Sequence, residues 1–311
     1  MADDFSHRPV LLDEVLDALN IQPEGIYVDA TFGRGGHSAA ILARLNAKGR
    51  LLAFDQDPEA IAHGRQNFAA EPRISFEHCN FSQVAQVVTE HELKQRIDGI
   101  LMDLGVSSPQ LDDATRGFSF LRSGPLDMRM NPEQGESAMQ WLQRVELWDL
   151  TLVLKRYGEE RFAKRIAGAI VAARDEGVIE NTAQLADIIS AAVPVKEKHK
   201  HPATRSFQAI RIFINRELES VEEGLRGAVD VLAPHGRLAV ISFHSLEDRL
   251  VKRFMRAQST PPKLPPGLPV MNIGQQAAFR LVSKSVVAGE AEVAMNPRSR
   301  SARLRVLERV Q

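Results

Sequence analysis

The sequence holds a single cysteine, Cys79, in 311 residues. No disulfide can form within the chain, and a reducing compartment is expected. Net charge is nearly absent too: 39 Lys and Arg face 40 Asp and Glu, leaving −1. No global field draws the protein to nucleic acid, so an anionic partner must be met by a local patch. Long apolar runs are also missing. Met1 to Val10 carries Asp3, Asp4, His7 and Arg8 where a secretory signal would be apolar. No later stretch offers the ~20 apolar residues of a bilayer span. There is no internal repeat, and His, Cys and carboxylates never take the spacing of a metal site, so no metal is expected. What remains is an ordinary globular balance, 44% hydrophobic and 25% charged. The length suits one large domain or two of ordinary size. A soluble, cytoplasmic protein is the expectation.

The first hundred residues alternate short apolar strands with amphipathic segments, the pattern of a parallel sheet with crossover helices. Strands are expected at 25–30, 50–55, 74–78 and 97–103. A glycine loop at 31–37 leads into a helix from about Ser38, and Asp57-Pro58 supplies an N-cap with proline at the first helical position. The rhythm stops after Asp103. Residues 105–135 are rich in Gly, Ser, Pro and Asp and too long for a plain connection. From 137 to 193 the pattern is helical, with Trp141, Leu142, Trp148, Leu152, Phe162 and Ile166 as core positions. A long helix ending near Ala233 precedes a strand at 236–244 and a helix at 246–256. A proline-rich linker follows at 261–269, and 302–308 alternates with period two as a closing edge strand. The economical architecture is an α/β domain, residues 1–114 and 216–311, interrupted by an all-helical insertion at 115–215.

Three of the expected strands end in an acid: Asp29, Asp55 and Asp103. Ligands of open α/β sheets bind beyond the carboxyl ends of the strands. The glycines of Thr31-Phe-Gly-Arg-Gly-Gly-His37 would let backbone approach a ligand at a helix N-terminus, though a bare tight turn has the same composition. Asp55 lies twenty residues beyond Gly35, where a carboxylate meets ribose hydroxyls. Two cofactors fit this set, a nicotinamide dinucleotide and S-adenosylmethionine. The dinucleotide fingerprint wants glycine at position 38, which is Ser38. Asp29 would repel a pyrophosphate and attract the ammonium and sulfonium of S-adenosylmethionine. A dehydrogenase is the rival of a methyltransferase on these grounds.

At these residues the chain resembles the RsmH (MraW) family of small-subunit ribosomal RNA methyltransferases. The resemblance runs through His7 and Val10-Leu-Leu-Asp-Glu, Asp29-Ala-Thr-Phe-Gly-Arg-Gly-Gly-His-Ser, and Asp103-Leu-Gly-Val-Ser-Ser-Pro-Gln-Leu-Asp. It continues in Gly117-Phe-Ser-Phe, Pro125-Leu-Asp-Met-Arg-Met, Tyr157-Gly-Glu-Glu-Arg-Phe-Ala, His201-Pro-Ala-Thr-Arg and Phe207-Gln-Ala-Ile-Arg. It closes with Ile241-Ser-Phe-His-Ser-Leu-Glu-Asp-Arg and Asn296-Pro-Arg-Ser-Arg-Ser. The resemblance implies a Rossmann-like class I methyltransferase sheet with an inserted helical, RNA-recognising domain. It implies transfer of methyl from S-adenosyl-L-methionine to N4 of a cytidine in the decoding region. The partner would be small-subunit ribosomal RNA within the ribosomal subunit, and a homodimer is left open. Gly35, Gly36, His37, Asp55, Asp103 and Gln110 would touch the cofactor, with Phe81 against its adenine.

Amino-group methyltransferases often follow the fourth strand with Asp or Asn, two prolines and an aromatic. Asp103-Leu-Gly-Val keeps the acid alone. Two roles for Asp103 stay open, catalytic acceptor for the amine and holder of the cofactor. A non-catalytic RNA assembly factor is the second rival. C5 chemistry needs a thiolate nucleophile, and Cys79 has no proline or acidic residue beside it. For RNA, residues 155–216 hold twelve Lys and Arg against seven Asp and Glu. Lys196, Lys198, Lys200, Arg205 and Arg211 concentrate that charge, and Arg298, Arg300, Arg303 and Arg305 form a basic tail. Arg205 and His244, the latter at a strand end, are the substrate-side candidates. A solvated helix face and a structural histidine are the plain alternatives.

Overall fold

A computed structural model describes residues 8–195, 201–261 and 277–311. The first stretch contains α1 (Leu12–Leu19), β1 (Ile26–Asp29), α2 (Gly36–Leu42), β2 (Arg50–Asp55), α3 (Pro58–Asn67), β3 (Ile74–His78), α4 (Val84–Glu90) and β4 (Ile97–Asp103). Six helices follow: α5 (Ser108–Asp112), α6 (Ala138–Arg144), α7 (Leu147–Gly158), α8 (Ala163–Glu176), α9 (Thr182–Ala192) and α10 (Thr204–Ile214). Then come α11 (Glu217–Val231), β5 (Leu232–Ser242), α12 (Ser245–Gln258), β6 (Phe279–Leu281), β7 (Val286–Val287), α13 (Glu290–Met295) and β8 (Arg303–Arg309). No helix among the described residues is long and apolar enough to cross a membrane.

The chain divides into two compact units, residues 1–105 with 218–311, and residues 106–217. The first is an α/β sheet in the order β3-β2-β1-β4-β5-β8-β6, with β7 also pairing with β8. Strands β1 to β5 are mutually parallel and β8 runs antiparallel to β5. Both faces are covered. Val28, Leu52, Phe54, Ile100 and Met102 point into one core, and Tyr27, Leu51 and Leu101 into the other. Burial on both faces is why these strands read as continuous apolar runs. The order of the strands reverses at β1 and β4, which opens the crevice where such sheets take ligands.

Several sequence expectations change here. Helix α1, for which the chain pattern suggested no element, buries Val15, Leu16 and Leu19. The helix after the glycine loop starts at Gly36, and α11 ends at Val231. Strand β8 is interior, because β6 and β7 pair with its outer side. Those two strands, three and two residues long, are too short to carry a period. Most of the proline-rich stretch 261–269 lies outside the described residues.

The second unit is helical, and its core takes Trp141, Leu142, Leu154, Ile166, Ile170, Leu185, Ile189 and Phe207. Phe162 is half-buried. Trp148 and Leu152 were expected in this core but are 70% and 43% exposed. Helix α7 turns Leu150, Val153, Leu154 and Tyr157 inward, which leaves those two on its other face. Residues 106–114, assigned above to the sheet, group with the helices. Gly124 packs so tightly on the Ala114 carbonyl that no side chain would fit. Farther along, the Leu126 amide donates to the Glu180 carbonyl (3.0 Å), and the Met130 amide donates to Asn215 Oδ1 (2.7 Å).

Candidate cofactor site at the strand ends

Asp29 ends β1 and is 1% exposed. Its carboxyl accepts from Ser38 Oγ at 2.6 Å and from the Thr31 amide at 3.2 Å. Serine at 38, which set this chain apart from a dinucleotide fingerprint, thus ties α2 to the end of β1. Thr31 completes the frame. Its Oγ1 accepts from the Asp103 amide at 2.7 Å and links the ends of β1 and β4. Neither Thr31 nor Ser38 was singled out from sequence, since a hydroxyl beside an acid has no spacing signature.

The glycine loop is shaped by its own packing. Gly33, at φ +56°, donates its amide to Asp55 Oδ2 at 2.8 Å. Gly35 caps α2 at φ +81°, and a Cβ there would meet the Phe32 ring at 2.7 Å. A Cβ on Gly36 would strike the Pro9 ring. Phe32, Phe68 and Phe76 form the aromatic cluster behind the loop, with centroids 5.1 and 5.9 Å from Phe32. Asp55 ends β2, and its second oxygen accepts from the Asp57 amide at 2.9 Å. Asp57 in turn caps α3 through the Glu59 amide. Phe81 opens a short 3-10 turn after β3 and lies against Gly224 of α11. The Asn80 amide group donates to Gln56 Oε1 at 2.8 Å and so holds the Phe81 turn beside the Asp55 loop.

Asp103 ends β4, with Oδ1 buried and unpaired among the described residues. His37 Nε2 lies 3.7 Å from Asp103 Oδ2, and among the described residues neither ring nitrogen has a side-chain hydrogen-bond partner. Burial, reinforced by the charges of Asp29 and Glu247, lifts the Asp103 carboxyl to about 8. Burial also lifts Asp29 to about 6 against the Ser38 and Thr31 hydrogen bonds. Asp55 reaches about 6, its burial outweighing the Asp57 and Gly33 amides. Burial lowers His37 to about 4, against a weaker pull from the Val10 backbone. At neutral pH the His37–Asp103 contact is an imidazole beside a carboxylic acid, not an ion pair. Three desolvated carboxyls at neighbouring strand ends favour a cation beside them.

The sheet unit thus gathers Gly35, Gly36, His37, Asp55 and Asp103 at the strand ends, with Phe81 beyond β3 and His244 beyond β5. His244 caps α12: its side chain accepts from the Glu247 amide, and its Nε2 lies 3.0 Å from Glu247 Oε1. Its Nδ1 is committed to that cap, while Nε2 meets no partner in hydrogen-bonding geometry among the described residues. Gln110 and Arg205 belong to the helical unit. Gln110 is buried and closes a capping box on α5, accepting from the Ser107 amide at 2.9 Å. Arg205 on α10 donates to the Glu159 carbonyl at the C-terminal end of α7 (3.3 Å). Of the expected RNA-binding cations, Arg211 is held by Glu217 through two 2.8 Å bonds, and Arg305 by Asp248 at 2.7 and 3.1 Å. Lys196, Lys198 and Lys200 lie outside the described residues. Cys79 is half-buried, and burial together with Glu77 and Glu90 pushes its thiol up to about 11.

Comparison with known proteins matches residues 4–310 to the MraW methylase family. Among solved structures, a putative rRNA-methylase from Clostridium thermocellum shares 11% identity at a TM-score of 0.46, with 97% of this chain and 98% of that one covered. An rRNA methylase from Streptococcus thermophilus shares 13% identity at a TM-score of 0.42, covering 96% and 94%. A putative methyltransferase from Streptococcus mutans, in complex with SAH, shares 12% at 0.39, covering 96% and 97%. The family match spans nearly the whole chain, which removes the dehydrogenase alternative. With desolvated carboxyls at the switch point of its sheet and this match, the chain belongs to the MraW methylase family, a methyltransferase whose methyl donor is S-adenosylmethionine.

Proposed function

We propose that this methyltransferase modifies small-subunit ribosomal RNA at N4 of a cytidine in the decoding region. The observation that carries the site is the trio of strand-end carboxyls, Asp29 buried and Asp55 and Asp103 half-buried, with Asp103 Oδ1 unpaired among the described residues. S-adenosylmethionine supplies an electrophilic methyl on a sulfonium. Against it, Asp55 keeps spare acceptor capacity for ribose hydroxyls, since each oxygen so far takes one amide and a carboxylate offers about four lone-pair sites. Phe81 rests on Gly224 and can offer its other face to a purine. A cation beside Asp103 draws its proton off, so cofactor binding and ionisation of that carboxyl support each other. The resemblance adds Gln110 to the cofactor contacts.

For the acceptor, alignment does most of the work. The lone pair of an exocyclic amine is spread into the ring. An ionised Asp103 that accepts an amine N–H localises the pair on nitrogen as the new N–C bond forms, and the proton then leaves to solvent. Chemistry at C5 is disfavoured because it needs a thiolate, and the Cys79 thiol at about 11 stays protonated at neutral pH. We assign RNA recognition to the helical unit with Arg205, and place His244 at the acceptor side through the α12 cap. The test is transfer of labelled methyl from S-adenosylmethionine to small-subunit ribosomal RNA, followed by nucleoside analysis. N4-methylcytidine is expected; a C5-methyl or ribose-methyl product overturns the reading.

A further inference from the structure

Helix α12 carries Arg249, Lys252, Arg253 and Arg256, all exposed, on one face at spacings of three and four. They span about 10 Å of helix at ~1.5 Å per residue. That is roughly one Debye length at 0.1 M salt, so the charges act as one field. Together with Ala257 and Thr260 they line a shallow groove of about 610 Å³. The two acids of the helix are turned elsewhere: Glu247 is buried and Asp248 holds Arg305. Among the described residues, no carboxylate pairs with Lys252, Arg253 or Arg256.

Compensation of the helix dipole accounts for Arg256 alone, the one cation in the last turn. Lys252 and Arg253 stand a turn earlier. Like charges four apart repel, so Arg249 with Arg253 and Lys252 with Arg256 weaken the helix they sit on. In a chain with a net charge of −1, four unalternated cations along a groove are a local exception.

We propose that this stripe is a phosphate-binding track for RNA, separate from the helical unit and from the strand-end pocket. The proposal rests on the RNA reading above. It is tested in the full-length protein with Lys252→Gln, Arg253→Gln and Arg256→Gln combined. Affinity for small-subunit ribosomal RNA is followed against potassium chloride, and S-adenosylmethionine binding is measured by calorimetry. Losing three contacts lowers the slope of log affinity against log salt by roughly 2–3, at about 0.7–0.9 per phosphate. Affinity near 0.1 M salt falls at least about tenfold, while cofactor binding stays parental. Arg44→Gln with Lys48→Gln is the control for generic charge, since those cations already face Asp17 and Glu24, and it leaves the slope unchanged. If the triple variant loses the cofactor, the three single variants are titrated instead, each lowering the slope by just under one. A variant with the parental slope overturns the track alone. A parent without measurable affinity for this RNA overturns the RNA reading, and the track with it.

Discussion

Replacing Asp103 by asparagine removes one titrating group while keeping the side chain's shape. In the folded protein the carboxyl sits at about 8 against an ordinary 3.8. At about 1.36 kcal/mol per tenfold change, the ceiling on this effect is roughly 5–6 kcal/mol. The side chain is 25% exposed, so relaxation and water trim that to ~2–3 kcal/mol. The sign is fixed by linkage. A raised carboxyl binds its proton more tightly when folded, so the parent loses stability as pH climbs from the unfolded value toward 8. Between pH 6 and 9 the other shifted groups of the site contribute little. Asp29 and Asp55 titrate near 6, His37 near 4 with the opposite sign, and Cys79 near 11. Thermal melts without cofactor should therefore show the parent falling faster than Asp103→Asn across this window. About half of that effect accrues between pH 6 and 8, so the gap should open by roughly 2–6 °C, at 2–4 °C per kcal/mol for a domain of about 200 residues. Saturating S-adenosylmethionine should stabilise the parent more at pH 8 than at pH 6, because a cation binds best to the ionised form. Parallel pH profiles for parent and variant would refute the assignment of a buried, protonated Asp103.

Asp55→Ala should weaken S-adenosylmethionine binding by about 1–3 kcal/mol in calorimetry, through lost acceptors for ribose hydroxyls; parental affinity would move the ribose elsewhere. Cys79→Ala should fold and methylate at close to the parental rate, and loss of turnover with cofactor binding intact would contradict the amine chemistry. Asn215 accepts from the Met130 amide and donates to the Met128 carbonyl, both at 2.7 Å. Asn215→Ala should thus cost roughly 2–4 kcal/mol in urea unfolding, from the loss of two hydrogen bonds to backbone. Excision of 106–217, with Gly105 joined to Leu218 by a flexible linker, removes Gln110 and should weaken cofactor binding without abolishing it, while RNA methylation is lost. A narrower cut at 135–205 should instead fail to fold cleanly, since Leu126 and Thr182 are hydrogen-bonded to Glu180 and Gly124 across it.

Much of the sheet was legible from local pattern. Strands buried on both faces must be apolar at every position, so β1, β2 and β4 stand out as runs, and each run stops at the acid that faces the crevice. The Asp57-Pro58 cap and the glycine loop are likewise local signals, set by the backbone needs of a few neighbouring residues. Short pairings left no such trace: β6 and β7 are too brief for a period, and β8 therefore looked like an edge. The helical pattern at 137–193 covers α7, yet the helix's apolar residues exceed its buried face, so pattern alone could not say that Trp148 stays in water. The same limit applies to the site and its charges. That three strand ends carry acids is written in the chain, whereas the burial that makes them hold protons comes from packing on every side. Arg211 and Arg305 count as free cations in any sequence tally. In the folded chain Glu217 and Asp248 neutralise them, the latter from 57 residues away. Among the described residues, Lys252, Arg253 and Arg256 are left without such partners. A charge is spent or kept according to which acid the fold brings within hydrogen-bonding reach, and that distance in space exists only after the chain has folded.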